Sequence, residues 1–235
     1  MKILIVRHAE PDYSIDSLTP KGWREAELLS RRLSRLPIDH IYSSPLGRAR
    51  DTARATLDKL GREATILPWL REFPGKIQRE CDAAPRIPWN LEPQYWTGRP
   101  LLFDREGWLR DLVVAAGDVP ETYTRTVAAL DGLLAEHGYR RDGLIYRCAQ
   151  NTARTLLFFC HFAVGMVLIS RFTGIAPPLL WQGLFMPASS VSTVITEERV
   201  KGEVFWKVQS IGDTSHLYAA DEPVSRAGLY DEVLP

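Results

Sequence analysis

The sequence predicts a three-layer α/β fold, a mostly parallel central sheet packed between helices. Three observations carry this. Apolar, β-rich runs recur along the 235 residues, and stretches with helical spacing alternate with them. The first run, Ile3–Val6, is apolar at every position, as a strand covered on both faces has to be.

The elements follow in order. Ile3–Val6 reads as a buried strand and ends in Arg7 and His8 with no turn residue between. In LTPKG, Thr19 is a natural cap and Pro20 suits a first helical position, and Ala26, Leu28, Leu29 and Leu33 give the helix an apolar face. His40–Ser43 is the second strand, with a helix beginning near Pro45, and Ala64–Pro68 is the third. From about 73 to 120 the texture changes: prolines and the aromatics Trp89, Tyr95, Trp96, Phe103 and Trp108 accumulate without a convincing strand, which suggests an irregular or helical cap over one end of the sheet. A helix from about Glu121 to Glu136, the strand Leu156–Cys160, a helix after His161, and strands at Ser190–Thr196 and Phe205–Ile211 complete the chain. Residues 1–235 therefore read as one domain carrying a cap at about 73–120.

Composition narrows the function classes. Lys plus Arg and Asp plus Glu are both 29, so no overall charge points to nucleic acid or a membrane surface. The uncharged run TLLFFCHFAVGMVLIS is shorter than a membrane span and holds His161, so it reads as a buried strand and helix. Cys81, Cys148 and Cys160 form no CxxC pair and are odd in number, which suits a reducing, cytoplasmic setting. The N-terminal apolar run is too short for a signal-peptide core. No HExxH, GxxxxGK[ST] or GxGxxG pattern occurs, so neither a metal nor a nucleotide cofactor is expected.

In parallel sheets, ligands gather beyond the carboxyl ends of strands. Four such ends carry unusual residues here: Arg7–His8, SSPLGRAR, LREF and His161. They bring two histidines, a second arginine and a glutamate to one pocket.

The blocks LIVRHAE, LTPKG, IYSSPLGRARDTA, LREF and FFCH, in that order across nearly the whole chain, resemble the histidine phosphatase superfamily, with its phosphoglycerate-mutase-like fold. The resemblance implies that His8 is the nucleophile that becomes phosphohistidine, that Arg7, Arg48 and His161 hold the phosphate, and that Glu72 protonates the leaving oxygen. Arg50 is a rival to Arg48, but the RAxxTA frame selects Arg48. Chemistry agrees: arginine forks match phosphate, neutral imidazole is a competent nucleophile, and a departing alkoxide needs a proton. Ala9 replaces the usual Gly, Ser14 stands where many relatives place an Asn on the phosphate, and PGKIQRE replaces the WEG signature of mutases and sugar-bisphosphatases. Phe162 rather than Asp follows His161, which resembles the mutase-like branch rather than the acid-phosphatase branch.

The leading expectation is a cofactor-independent phosphatase acting on a small phosphomonoester. The alternatives are a phosphoglycerate-type mutase and a non-catalytic phospho-ligand binder. Glu80 and Asp82 are rival acids to Glu72. His40 reads as a strand opener, His137 as part of a helix end, and His216 as a packed residue or a pocket rim. The cap aromatics are either packed core or a substrate platform, and the cap is the segment expected to select substrate.

Overall fold

The computed structural model describes residues 1–229. β1 (Lys2–Arg7) leads into a small hairpin, β2 (Pro11–Asp12) and β3 (Ser17–Leu18), and then helix α1 (Pro20–Leu33). β4 (His40–Ser43), α2 (Gly47–Leu60) and β5 (Thr65–Ile66) follow. Two short helices, α3 (Pro93–Thr97) and α4 (Leu112–Ala115), precede the long α5 (Val119–Glu136). The chain continues through β6 (Arg140–Asp142), β7 (Ile145–Arg147), β8 (Thr155–Cys160), α6 (Phe162–Thr173), α7 (Pro177–Gly183), β9 (Val191–Val200), β10 (Glu203–Asp213) and α8 (Ser215–Tyr218).

Eight strands form the central sheet in the order β5-β4-β8-β1-β9-β10-β7-β6. The pairs β5/β4, β4/β8 and β8/β1 are parallel, and the remaining pairs are antiparallel. All strands but β9 and β7 therefore point the same way. Alternation along β1 divides the core. Leu4 and Val6 join Leu29 and Leu33 of α1 and Ala53 of α2 on one face. Ile3 and Ile5 join α5, α6 and α7 on the other. Two apolar faces on one strand require two helical layers, which is why Ile3–Val6 has no polar position.

The helix signals worked through their physical causes. Thr19 caps α1 by accepting from the Gly22 amide at 3.0 Å, with Pro20 at the first position. Leu28 is only half-buried, however, and Glu25 takes a buried place on that helix. α2 and α6 each end in a left-handed glycine, Gly61 and Gly174.

The strands differ more from expectation. The third strand, expected over Ala64–Pro68, shrinks to the exposed pair Thr65–Ile66 at the sheet edge, because Pro68 starts a tight helical turn and has no N–H to continue the ladder. The last two strands run past Thr196 and Ile211 as a long ribbon whose tip is exposed at Glu198–Val200. The hairpin β6–β7 was not expected, since RRD lacks apolar alternation; its turn holds Gly143 at φ 60°.

Between Phe73 and Val119 the chain forms short helical turns and one isolated bridge, Ile77 with Arg86. Its buried residues Phe73, Ile77, Leu102, Trp108 and Val113 are continuous with the α5–α6 side of the core.

Candidate active site

Register puts the chemistry in one place. Arg7 pairs with Cys160 across β1 and β8, and Ser43 pairs with Phe159 across β4 and β8, so three adjacent parallel strands end flush. The ladder runs one step further: the His8 amide donates to the Cys160 carbonyl and the Ser44 amide to the Phe159 carbonyl, both at 2.9 Å. His8, Ser44 and His161 are thus neighbours by backbone geometry.

His8 is buried, and its ring lies 5.1 Å from that of His161. Its Nδ1 is 2.8 Å from the Ala9 carbonyl. A carbonyl only accepts, so Nδ1 carries the proton and Nε2 presents its lone pair. Burial holds His8 well below the usual histidine range, and the Arg7 and Arg48 guanidiniums add to it. His161 is lowered by burial first, then by His8, Arg48 and Arg7. Both rings are neutral at physiological pH.

His161 Nε2 lies 2.7 Å from the Ser44 hydroxyl, which also accepts from the Leu46 amide at 3.2 Å. With one proton and two lone pairs, the hydroxyl can either donate to Nε2 or accept from it. His161 Nδ1 is buried and has no partner among the described residues.

Arg48, in the first turn of α2, is aimed by Asp16, whose carboxylate accepts from Arg48 Nη1 at 2.5 Å and from the Gly47 amide at 2.7 Å. A side chain at Gly47 would collide with the Asp16 carbonyl, 2.0 Å from its Cβ. Arg7 donates through Nη1 to the Met186 carbonyl at 2.6 Å and through Nη2 to the Ala227 carbonyl at 3.0 Å. Arg7 Nε and Arg48 Nε are both buried with no partner among the described residues.

Glu72 closes the site from the N-terminus of α6. One oxygen, Oε1, accepts from the amides of Phe73, Ala163 and Val164 at 2.9, 3.0 and 3.3 Å; Oε2 makes no hydrogen bond among the described residues. The residue keeps some solvent contact, yet enclosure of the carboxyl raises its pKa against the opposing pull of those amides, Arg7 and Arg48. Arg7, Arg48 and Glu72 line a cavity of about 280 Å³ together with Tyr13, Ile87, Trp89, Phe162, Phe185 and Gly228.

The other candidates lie elsewhere. Ser14 is exposed and its hydroxyl donates to Asp12, while its neighbour Tyr13 lines the cavity. Glu80 and Arg50 are exposed, and Asp82 is paired with Arg79. His40 opens β4, His137 ends α5 against the Tyr42 hydroxyl, and His216 packs on Ser189. Of the aromatics in residues 73–120, Trp89 faces the cavity, whereas Trp108 is buried against Trp181 and Trp96 stacks on Phe103. Asp16 and Ser44 were missed. Ser44 stood in the quoted SSPL block; nothing in DYSIDS pointed to Asp16. Among the described residues, no group of His, Cys, Asp and Glu is arranged to hold a metal ion, and no helix is long and apolar enough to cross a membrane.

The sequence profile of the histidine phosphatase superfamily (branch 1) matches residues 3–209. A probable phosphoglycerate mutase GpmB of Enterobacter sp. (strain 638) is 26% identical over 234 residues, covering 93% of this chain and 96% of that protein. The corresponding protein of Yersinia enterocolitica is 27% identical over 228 residues, covering 92% and 95%. Among solved structures, a phosphoserine phosphatase of Entamoeba histolytica in complex with phosphoserine superposes with a TM-score of 0.62 at 19% identity, covering 92% of this chain and 98% of that one. A mycobacterial glucosyl-3-phosphoglycerate phosphatase superposes with 0.61 at 16% identity, covering 90% and 98%.

Proposed function

The chain belongs to the histidine phosphatase superfamily, and from that premise we propose that it hydrolyses small phosphomonoesters through phospho-His8, with no metal in the reaction. One observation carries the reading. Arg7 Nε, Arg48 Nε and His161 Nδ1 are buried without a partner among the described residues, and the His161 ring lies 5.1 Å from that of His8. Buried polar atoms are rarely left unmet, and a phosphoryl group supplies oxygens for both guanidinium N–H groups.

In this mechanism His8 Nε2 attacks phosphorus as the ester P–O bond breaks. The Ala9 carbonyl stabilises the Nδ1 proton as the ring gains charge. The guanidiniums and His161 hold the equatorial oxygens, where charge is spread. Glu72 Oε2 gives its proton to the departing alkoxide, then takes one from the water that attacks phospho-His8, and the freed phosphate leaves His8 neutral. The raised pKa of Glu72 favours the protonated form that the first step needs. On this reading residues 73–120 are a cap, contributing Ile87 and Trp89 to the cavity wall.

The probe is p-nitrophenyl phosphate in buffer containing EDTA. We expect turnover, with acid-labile, base-stable label from a phosphorylated substrate on the wild type and none on His8→Ala. Turnover that EDTA abolishes and magnesium restores, or His8→Ala acting near the wild-type rate, refutes the mechanism.

A further inference from the structure

Beside the cavity at Arg7 and Arg48 lies a second one of about 300 Å³, and Trp89, Phe162, Phe185 and Gly228 line both. The second is walled further by Leu91, Trp181 and Leu184, and no charged side chain lines it among the described residues. Of its two polar side chains, Gln182 donates to the Pro88 carbonyl at 2.9 Å, and neither Gln182 nor Asn90 carries a charge to meet a second anion. The aromatic walls begin at the cations themselves: the Arg7 guanidinium lies 6.0 Å from the Phe162 ring and 5.6 Å from the Phe185 ring. Arg48 lies 5.4 Å from the Tyr13 ring.

A substrate bearing a carboxylate or a second phosphate would need a cation in this outer space. Three arginines of the overlying segment are paired with carboxylates, Arg79 with Asp82 and Glu92, Arg86 with Glu92, and Arg99 with Asp111, and Lys76, Arg105 and Arg110 line neither cavity. Glu72, the remaining charged wall residue, would repel a second anion. Burying that anion unpaired is costly, whereas an uncharged hydrocarbon or ring gains from the same surface.

We infer that the substrate is a phosphomonoester of an alcohol or phenol whose body is apolar and uncharged, seated between Trp89, Phe162 and Phe185. The inference rests on the reading of the inner cavity as the phosphoryl site. It separates this chain from enzymes whose substrates carry a carboxylate beside the phosphate.

The test is kcat/KM in EDTA-containing buffer for phenyl phosphate, for n-alkyl phosphates from ethyl to octyl, and for 3-phosphoglycerate. The alkyl series should climb by roughly twofold to fourfold for each methylene the cavity buries and then level off. Phenyl and hexyl phosphate should exceed 3-phosphoglycerate by roughly tenfold or more. Trp89→Ala should flatten the alkyl series. Leu184→Lys, which adds a cation to the outer wall, should raise 3-phosphoglycerate relative to hexyl phosphate. If phenyl phosphate turns over through phospho-His8 while 3-phosphoglycerate matches or exceeds the hexyl ester and the alkyl series is flat, the inference falls and the phosphatase reading stands. Turnover of none of these esters overturns both.

Discussion

Glu72→Gln separates proton donation from architecture. Glutamine keeps a carbonyl oxygen where Oε1 accepts from Phe73, Ala163 and Val164 at 2.9, 3.0 and 3.3 Å. All three contacts, two of them at the start of α6, are therefore kept, each about 0.5–1.5 kcal/mol, and removing an enclosed charge relieves the burial that raises this pKa. Folding should survive, with a melting temperature equal to or above the wild type. What disappears is the proton at Oε2. An alkyl phosphate leaves as a strongly basic alkoxide, so kcat/KM for it should fall roughly 10²- to 10⁴-fold, about 3–5 kcal/mol of barrier. A nitrophenyl ester leaves as a stabilised phenolate and should lose less than about tenfold on the same scale, while phospho-His8 still forms from it. The pH profile carries a second signature. Glu72 acts as acid when protonated, so alkyl-ester turnover in the wild type should decline as pH rises through its raised pKa, and that limb should be absent in the variant. Steady-state kinetics on both esters, with calorimetry of each protein, decide the matter. Equal losses on the two esters would show that Glu72 holds the phosphate or the fold instead.

Two further perturbations test residues around the site. Glu25 is fully buried, with one oxygen on the Glu10 amide at 2.9 Å and the other 4.0 Å from the Lys21 ammonium without a hydrogen bond among the described residues, and burial pushes its pKa up to about 7. Because the folded state keeps this proton longer than the unfolded chain, stability should be highest near pH 4.5, fall as pH rises to about 7, and then level. The fall is at most about 3 kcal/mol. Glu25→Gln should remove that slope in urea titrations at pH 5 and 8, and a slope identical to wild type would mean another group is responsible. Ser44→Ala should remove the hydrogen bond at His161 Nε2, changing the ¹⁵N ring shifts and raising the Ki of inorganic phosphate roughly tenfold, the scale of one hydrogen bond to a charged ligand. Unchanged shifts and an unchanged Ki would show that Ser44 merely packs.

The sequence by itself determined what each strand end carries. An apolar run of β-rich residues has to lie inside a sheet covered on both faces, and Arg7–His8 and His161 follow two such runs directly. Local signals sufficed for α1 as well, since Thr19 and Pro20 act within one turn. Local signals failed where stability comes from distant partners. The β6–β7 hairpin is polar and exists because β7 pairs with β10, and Pro68 cuts the edge strand short. Only the tertiary structure decided how the side chains are aimed. Asp16 orients Arg48 across 32 positions of chain, and Ser44 hydrogen-bonds His161 across 117; neither contact leaves a periodic or spacing trace. The same holds for the cavity wall, where Trp89 faces the site and Trp108 is buried. Both are tryptophans in one proline-rich segment, and which of them meets substrate depends on how that segment packs against Trp181 and α6, a choice made by volume and contact rather than by local pattern.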